Sequence, residues 1–289
     1  MKGSEFAAYW GPKGVAAWEA AAVDEARQGG LVPWPMVPLQ LTMPGHTATI
    51  LISADDLAIG TPDDFLRLPL RPVTAQTIAN LGGMLLPTPK LVYEAFKQAT
   101  VRLMPVQGDS MPRVLPNVAN HDLGANMAMY VAHNAQIEAK RQGQTGLLSG
   151  TKKNVVTGEL MKPGKVVIYG WFYPDLARPY KESMDPAVQH QPIQPRSNFH
   201  EIGYVDYSHG IRFVSGRMVV DGQDADTASV MADPVLSALV SDRGPVRTPR
   251  YPAPGSPPVT YPPIVASQPG AAAYGAQAIL DYERRLRNL

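Results

Sequence analysis

Apolar positions in the first half of the chain recur at helical spacing. Gly14–Gln28 reads as an alanine-rich helix closed by Gly29 and Gly30. Thr74–Leu81 sets Ile78 and Leu81 on one face. Thr88 and Pro89 then supply an N-cap and a first-turn proline ahead of Leu91, Val92, Ala95, Phe96 and Ala99. A further helix, roughly 124–142, carries Met127, Val131 and Ala135 on one face and ends in Lys140 and Arg141, cations that suit a helix C-terminus. Before these, Leu31–Pro44 is rich in proline and predicts an extended segment crossing the surface. Thr47–Ser53 predicts a strand.

From residue 146 onward the period shortens. Gly146–Val156, Lys165–Phe172, Gly203–Ser208 and Ile211–Val220 are β-branched or aromatic and punctuated by Gly and Pro, the pattern of short strands. Tyr173–Ser197 is a proline-rich loop of functional length. The fold class predicted is α+β, with helices mainly in the N-terminal half and mostly antiparallel strands from about 146 to 220. Residues 7–243 read as a single domain. Residues 244–270 form a Pro-rich linker or arm, and 271–289 a C-terminal helix with Ile279, Tyr282, Leu286 and Leu289 along one stripe. Such a stripe needs a docking surface, and a homo-oligomer joined through this arm is expected. Gly3–Phe6 matches what two adjoining cloning sites encode in frame, and Met1–Phe6 is therefore expected to be an expression scar outside the fold.

Composition narrows the chemistry. The 289 residues contain no cysteine, which excludes thiol nucleophiles, thiolate metal sites and disulfide scaffolds. A net charge of +1 gives no electrostatic case for nucleic acid. No apolar run is long enough to span a bilayer as a helix. His46, His121, His133 and His190 make no ligand pattern, and the sequence has no His-Glu-x-x-His, P-loop or Gly-x-Gly-x-x-Gly motif. No metal and no cofactor is expected.

The densest cluster of reactive side chains is Tyr204–Phe213, where Asp206, Ser208, His209 and Arg212 fall within seven residues. Buried polar groups cost free energy unless paired, so the cluster is either a closed hydrogen-bond network or a reaction site. On an extended strand Tyr204, Asp206 and Ser208 share one face, while Val205, Tyr207 and His209 take the other. That parity predicts Ser208 as nucleophile, His200 as its base and Asp206 as the orienting acid, with His209 a partner only if Gly210 turns the chain. Lys153 is an alternative base if desolvated, set against a solvated Lys152–Lys153 pair at a strand start. Arg212 is expected to bind a substrate carboxylate, and Tyr204, Tyr207, Lys152 and Trp171 to line the substrate.

Two resemblances bear on this cluster. Ser208-His209-Gly210-Ile211-Arg212-Phe213 is similar to the L,D-transpeptidase signature but lacks its cysteine nucleophile, so that chemistry does not carry over. More broadly, Leu57–Gly60, Leu86–Lys90, Gly150–Val156, Val167–Trp171, Pro192–Pro195, His200 and Tyr204–Arg212 together resemble a family of bacterial proteins, many with export signals. Its members often carry His and Asp where this chain has Thr151 and Asn154. The resemblance implies a grouping and export to the cell envelope rather than an activity. The expected function is a secreted or envelope hydrolase with a serine nucleophile. It would act on an ester or amide of a polymeric or peptide-containing substrate, with peptidoglycan the first class to test. The alternatives are a non-catalytic polymer-binding module and an oligomeric assembly protein.

Overall fold

The computed structural model describes residues 1–176 and 192–254. Helices α1 (Gly3–Trp10) and α2 (Val15–Arg27) lead into a hairpin of β1 (Met36–Met43) and β2 (His46–Ser53). A second hairpin, β3 (Ala58–Thr61) and β4 (Asp64–Arg67), precedes helix α3 (Pro72–Leu81), the short β5 (Met84–Leu85) and helix α4 (Pro89–Gln98). Strand β6 (Val101–Arg102) and helix α5 (Met127–Arg141) follow. The later strands are β7 (Leu148–Ser149), β8 (Lys153–Val155), β9 (Ile168–Gly170), β10 (Gln194–Ser197), β11 (His209–Gly210), β12 (Val214–Val220) and β13 (Gln223–Asp226), and then comes α6 (Thr227–Ala232).

The chain is α+β. The larger sheet runs β1-β2-β12-β13, antiparallel throughout, with β5 also paired to β12. The smaller sheet runs β10-β9-β8-β11, and its β8–β11 pair is parallel. Leu57 N–H bonds the Ile211 carbonyl and Ser53 N–H bonds the Phe213 carbonyl. These two bonds seat the loop after β2 beside the chain between β11 and β12, so residues 54–57 lie beneath the smaller sheet.

The expected helices over 14–28, 74–81 and from Thr88 onward are present, and the Thr88 hydroxyl accepts the Leu91 N–H as the cap requires. Asn126 caps α5 in the same way, accepting from the Met129 N–H. The expected strand over 146–156 is divided into β7 and β8 at Gly150, where φ is +89° and a Cβ would stand 2.0 Å from the Leu103 carbonyl oxygen. Only glycine fits there.

Four expectations are corrected. The proline-rich segment 31–44 contains a full strand, β1. It lies at the sheet edge with Pro38 exposed, a place where a missing N–H is tolerated. The buried face of α5 carries Met127, Tyr130, His133, Asn134 and Ile137, while Val131 is 44% exposed, because the helix turns two polar side chains inward. Met1–Phe6 is not outside the fold: Phe6 is fully buried among Trp18, Ile59 and Leu66, and Ser4 donates to Asp64. The body also runs past 243, since the Tyr251 hydroxyl donates to the Val156 carbonyl and accepts from the Val167 N–H. The expected terminal helix, most of the proline arm and the middle of the 173–197 loop lie outside the described residues.

Phe6→Ala tests the first helix. Emptying a fully buried aromatic site is expected to lower unfolding free energy by about 3–5 kcal/mol in urea titrations. A parent-like midpoint would mean that residues 3–10 do not pack on the core.

Candidate functional site

Parallel pairing of β8 and β11 sets His209 opposite Lys153 and Gly210 opposite Asn154. The pairing is close because Gly210 has no side chain: a Cβ there would stand 2.5 Å from Asp56 Oδ1 and 2.7 Å from Lys152 Cβ. Just before β11 the chain does not run as a strand. Asp206 Oδ1 accepts both the Ser208 N–H at 2.8 Å and the Ser208 hydroxyl at 2.5 Å, and its Oδ2 accepts the Tyr204 hydroxyl at 3.0 Å. An aspartate bonding the backbone two residues on makes a local turn, and here that turn displaces the strand expected over 203–208. The shared face inferred from strand parity is therefore replaced by this turn, which nonetheless joins Tyr204, Asp206 and Ser208.

The turn changes the roles expected of these residues. Ser208 is fully buried and its hydroxyl is given to Asp206. His200 does not reach it: the imidazole stacks on the Tyr204 ring at 3.9 Å and makes no side-chain bond to Ser208. Burial works to raise the Asp206 carboxyl. His209 and Lys153 beside it, with the two Ser208 hydrogen bonds, outweigh that and hold it well below the usual carboxylate range. Asp206 is thus a fixed negative charge and a poor proton acceptor.

His209 is left unsatisfied at both ring nitrogens. It is 0% exposed, and neither ring nitrogen has a hydrogen-bond partner among the described residues. Burial brings its pKa down to about 4, against the opposing pull of Asp206, so the ring is neutral near pH 7. The Tyr204 ring stands edge-on to it at 5.7 Å. Lys153, its Cα partner, is half-buried, with Nζ 3.4 Å from Gln194 Oε1 and over the Trp171 ring. Its ammonium is lowered by burial, with Asp206 acting the other way.

Beneath this layer lies a second one. Lys152, rather than Lys153, is the deeply buried lysine, because adjacent residues of a strand face opposite ways. Its Nζ donates to the Tyr207 carbonyl at 2.7 Å and to His133 Nδ1 at 3.1 Å, while His133 Nε2 donates to the Val106 carbonyl at 2.9 Å. That bonding pattern assigns His133 as neutral and protonated on Nε2. Burial lowers Lys152 to about 7, and an uncharged amine still has the two N–H groups both bonds need. Tyr207 is not a rim aromatic: its hydroxyl accepts the Gly108 N–H at 2.6 Å and its ring packs edge-on to His133. Arg212 does not face solvent either; Nη1 donates to the Ser53 carbonyl and Nη2 to the Leu148 carbonyl. Trp171 is 5% exposed, with φ of +55°.

Sequence reasoning missed His133, Asp56, Thr151 and Asn154. Asp56 accepts from the Thr151 hydroxyl at 2.6 Å and the Asn154 amide at 2.9 Å, and burial raises its pKa against the pull of Arg212. The available signal was an Asp-Asp pair set between apolar runs at 50–52 and 57–59. Among the described residues no group of three or more His, Cys, Asp or Glu is placed to hold a metal ion, and no helix is long and apolar enough to cross a membrane. No family model, curated protein or solved structure matches this chain.

Two stability predictions follow from this wiring. Unfolded His209 takes up a proton near pH 6.5 whereas the folded ring resists until about 4, so stability falls as pH drops across that window, by up to about 3 kcal/mol. Asp206 acts lower down, because its folded pKa lies below 3.8 and its contribution is lost only as pH falls beneath that value. His133 titrates in the same direction as His209. The difference between wild type and His209→Gln therefore isolates the residue: denaturation midpoints from pH 7 to 4 should fall less steeply in the variant, and parallel slopes would refute the assignment. Separately, Asp206→Ala is expected to cost about 1–3 kcal/mol in urea melts by leaving the Ser208 and Tyr204 hydroxyls without their acceptor. Ser208→Ala should cost less, since the carboxylate keeps two donors.

Proposed function

We propose that the site is the acid–base centre of an exported hydrolase. It acts on an ester or amide of a polymeric or peptide-containing substrate, with peptidoglycan the first class to test. One observation carries the reading: a neutral imidazole buried with both nitrogens unpartnered, beside Asp206 and Lys153. A purely structural histidine at this depth would be hydrogen-bonded, since an unmade bond in the interior costs about 1–3 kcal/mol. In this reading His209 removes the proton from the attacking group and returns it to the leaving group. Asp206 stabilises the imidazolium, and Lys153 stabilises the developing oxyanion. Substrate reaches His209 when the stacked His200 and Tyr204 rings swing aside. Because Ser208 gives its hydroxyl proton to a carboxylate of low basicity, the attacking group is water, and Ser208 holds Asp206 in place. Export and an envelope substrate rest on the family resemblance.

The saturated Tyr204–Asp206–Ser208 turn favours a second reading, a non-catalytic polymer-binding module. Turnover of peptidoglycan fragments and of activated esters separates the two. His209→Gln is expected to lower kcat/KM by about 100-fold or more, while Ser208→Ala retains measurable turnover. Loss of all turnover and of fluorophosphonate labelling in Ser208→Ala would restore the serine nucleophile. Binding of the polymer without hydrolysis by wild type would establish the module instead.

A further inference from the structure

Between β8, β9 and Arg212 lies a small cavity, partly open to solvent, with about 10 Å³ of water-sized space. Lys152, Asn154, Trp171 and Arg212 line it, together with the apolar Val92 and Phe172. Two of these side chains present donors that nothing among the described residues accepts. The Trp171 indole N–H has no partner, and neither has Arg212 Nε–H, although both terminal nitrogens of that guanidinium hold backbone carbonyls. Both residues are more than nine-tenths buried. No carboxylate lines the cavity; Asp56, on whose charge Arg212 and Lys152 act, has both oxygens bonded to Thr151 and Asn154.

We propose that this cavity binds one oxygen of a carboxylate, and that the ligand carries this carboxylate on an apolar or peptide backbone. The two unpartnered donors are an indole N–H and a guanidinium N–H, and the guanidinium charge favours an anionic acceptor. The space admits a single oxygen-sized atom. With room for one oxygen and Val92, Ala95 and Phe172 on its apolar side, the cavity leaves a carboxylate one further oxygen to place, toward Ser149 or the mouth, where a tetrahedral phosphate or sulfate would have three. Trp171 also lies under the Lys153 ammonium, which connects this cavity to the His209 cluster. The inference names the substrate class of the proposed hydrolase. Its test reads binding without turnover, so the two proposals fail separately.

Formate, the smallest carboxylate, is the probe, titrated into the full chain by calorimetry with chloride and inorganic phosphate at matched ionic strength. Formate is expected to bind saturably, and Trp171→Phe, which keeps a ring but loses the N–H, to weaken it about tenfold. On wild type the Trp171 indole ¹⁵N–H resonance should move downfield with formate. The Trp34 resonance should stay fixed, since that indole already donates to the Asp56 carbonyl. The resonance test holds even if the variant does not fold. Equal responses to chloride or phosphate, an unshifted Trp171 resonance, or undiminished formate binding by Trp171→Phe would each overturn the proposal.

Discussion

Asp55 and Asp56 are consecutive, both buried, and bonded toward different parts of the molecule. Asp55 meets the Arg67 guanidinium through Nε and Nη2, the latter at 2.5 Å, with both side chains almost wholly excluded from solvent. Arg67 continues through Nη1 to Asn134 and Glu138 on α5. Asp56 takes the Thr151 hydroxyl and the Asn154 amide from the smaller sheet. One dipeptide thus ties the second hairpin, the long helix and the catalytic-candidate sheet to the end of β2. Removing one member of such a buried pair costs about 3–5 kcal/mol, because the partner is left charged and unsolvated. Replacing the pair by apolar groups could cost far less. The contribution lies in fixing which elements meet, more than in net stability.

That fixed loop dictates what the site can contain. Asp56 Oδ1 occupies the space a β-carbon would need at residue 210, so β11 must cross there with glycine. Its crossing brings His209 level with Lys153 and aligns Asn154 to reach Asp56. The short parallel pair is consequently not an isolated device. It is the place where the loop after β2, the strand β8 and the Asp206 turn converge, and each of the three contributes a charged or titratable group.

Much of the architecture was legible because it rests on local rules. The apolar spacing of α2, α3 and α4 and the Thr88 cap are decided within a few residues. The strand expected over 203–208 failed because Asp206 can satisfy its neighbour's backbone alone, which offers the chain a turn in place of a ladder. The edge strand β1 was hidden by its prolines, which are acceptable only where no neighbour needs the N–H. For the site, the Tyr204–Arg212 cluster marked the right region, yet the pairing inside it was not readable. Ser208 meets Asp206 through a turn, and His209 gains its environment from Lys153, fifty-six positions earlier. His133 and Asp56 enter through long-range packing that no spacing in the sequence encodes.

The two adjacent lysines show how strand parity turns one dipeptide into two environments. Lys152 points into the interior, where His133 and the Tyr207 carbonyl accept its two bonds and burial favours the neutral amine. Lys153 points to the opposite face, half-buried beside Asp206 and over Trp171. With its pKa brought down to about 7 by burial, Lys152 carries less positive charge at neutral pH than an exposed lysine, and Lys153 stands beside Asp206 as its cationic partner. His209 stays uncharged chiefly because it is fully buried, and repulsion from Lys153 adds to that against the pull of Asp206. The unpartnered imidazole is therefore kept neutral by its burial, and the register of β8 against β11 brings Lys153 level with it as the nearby cation.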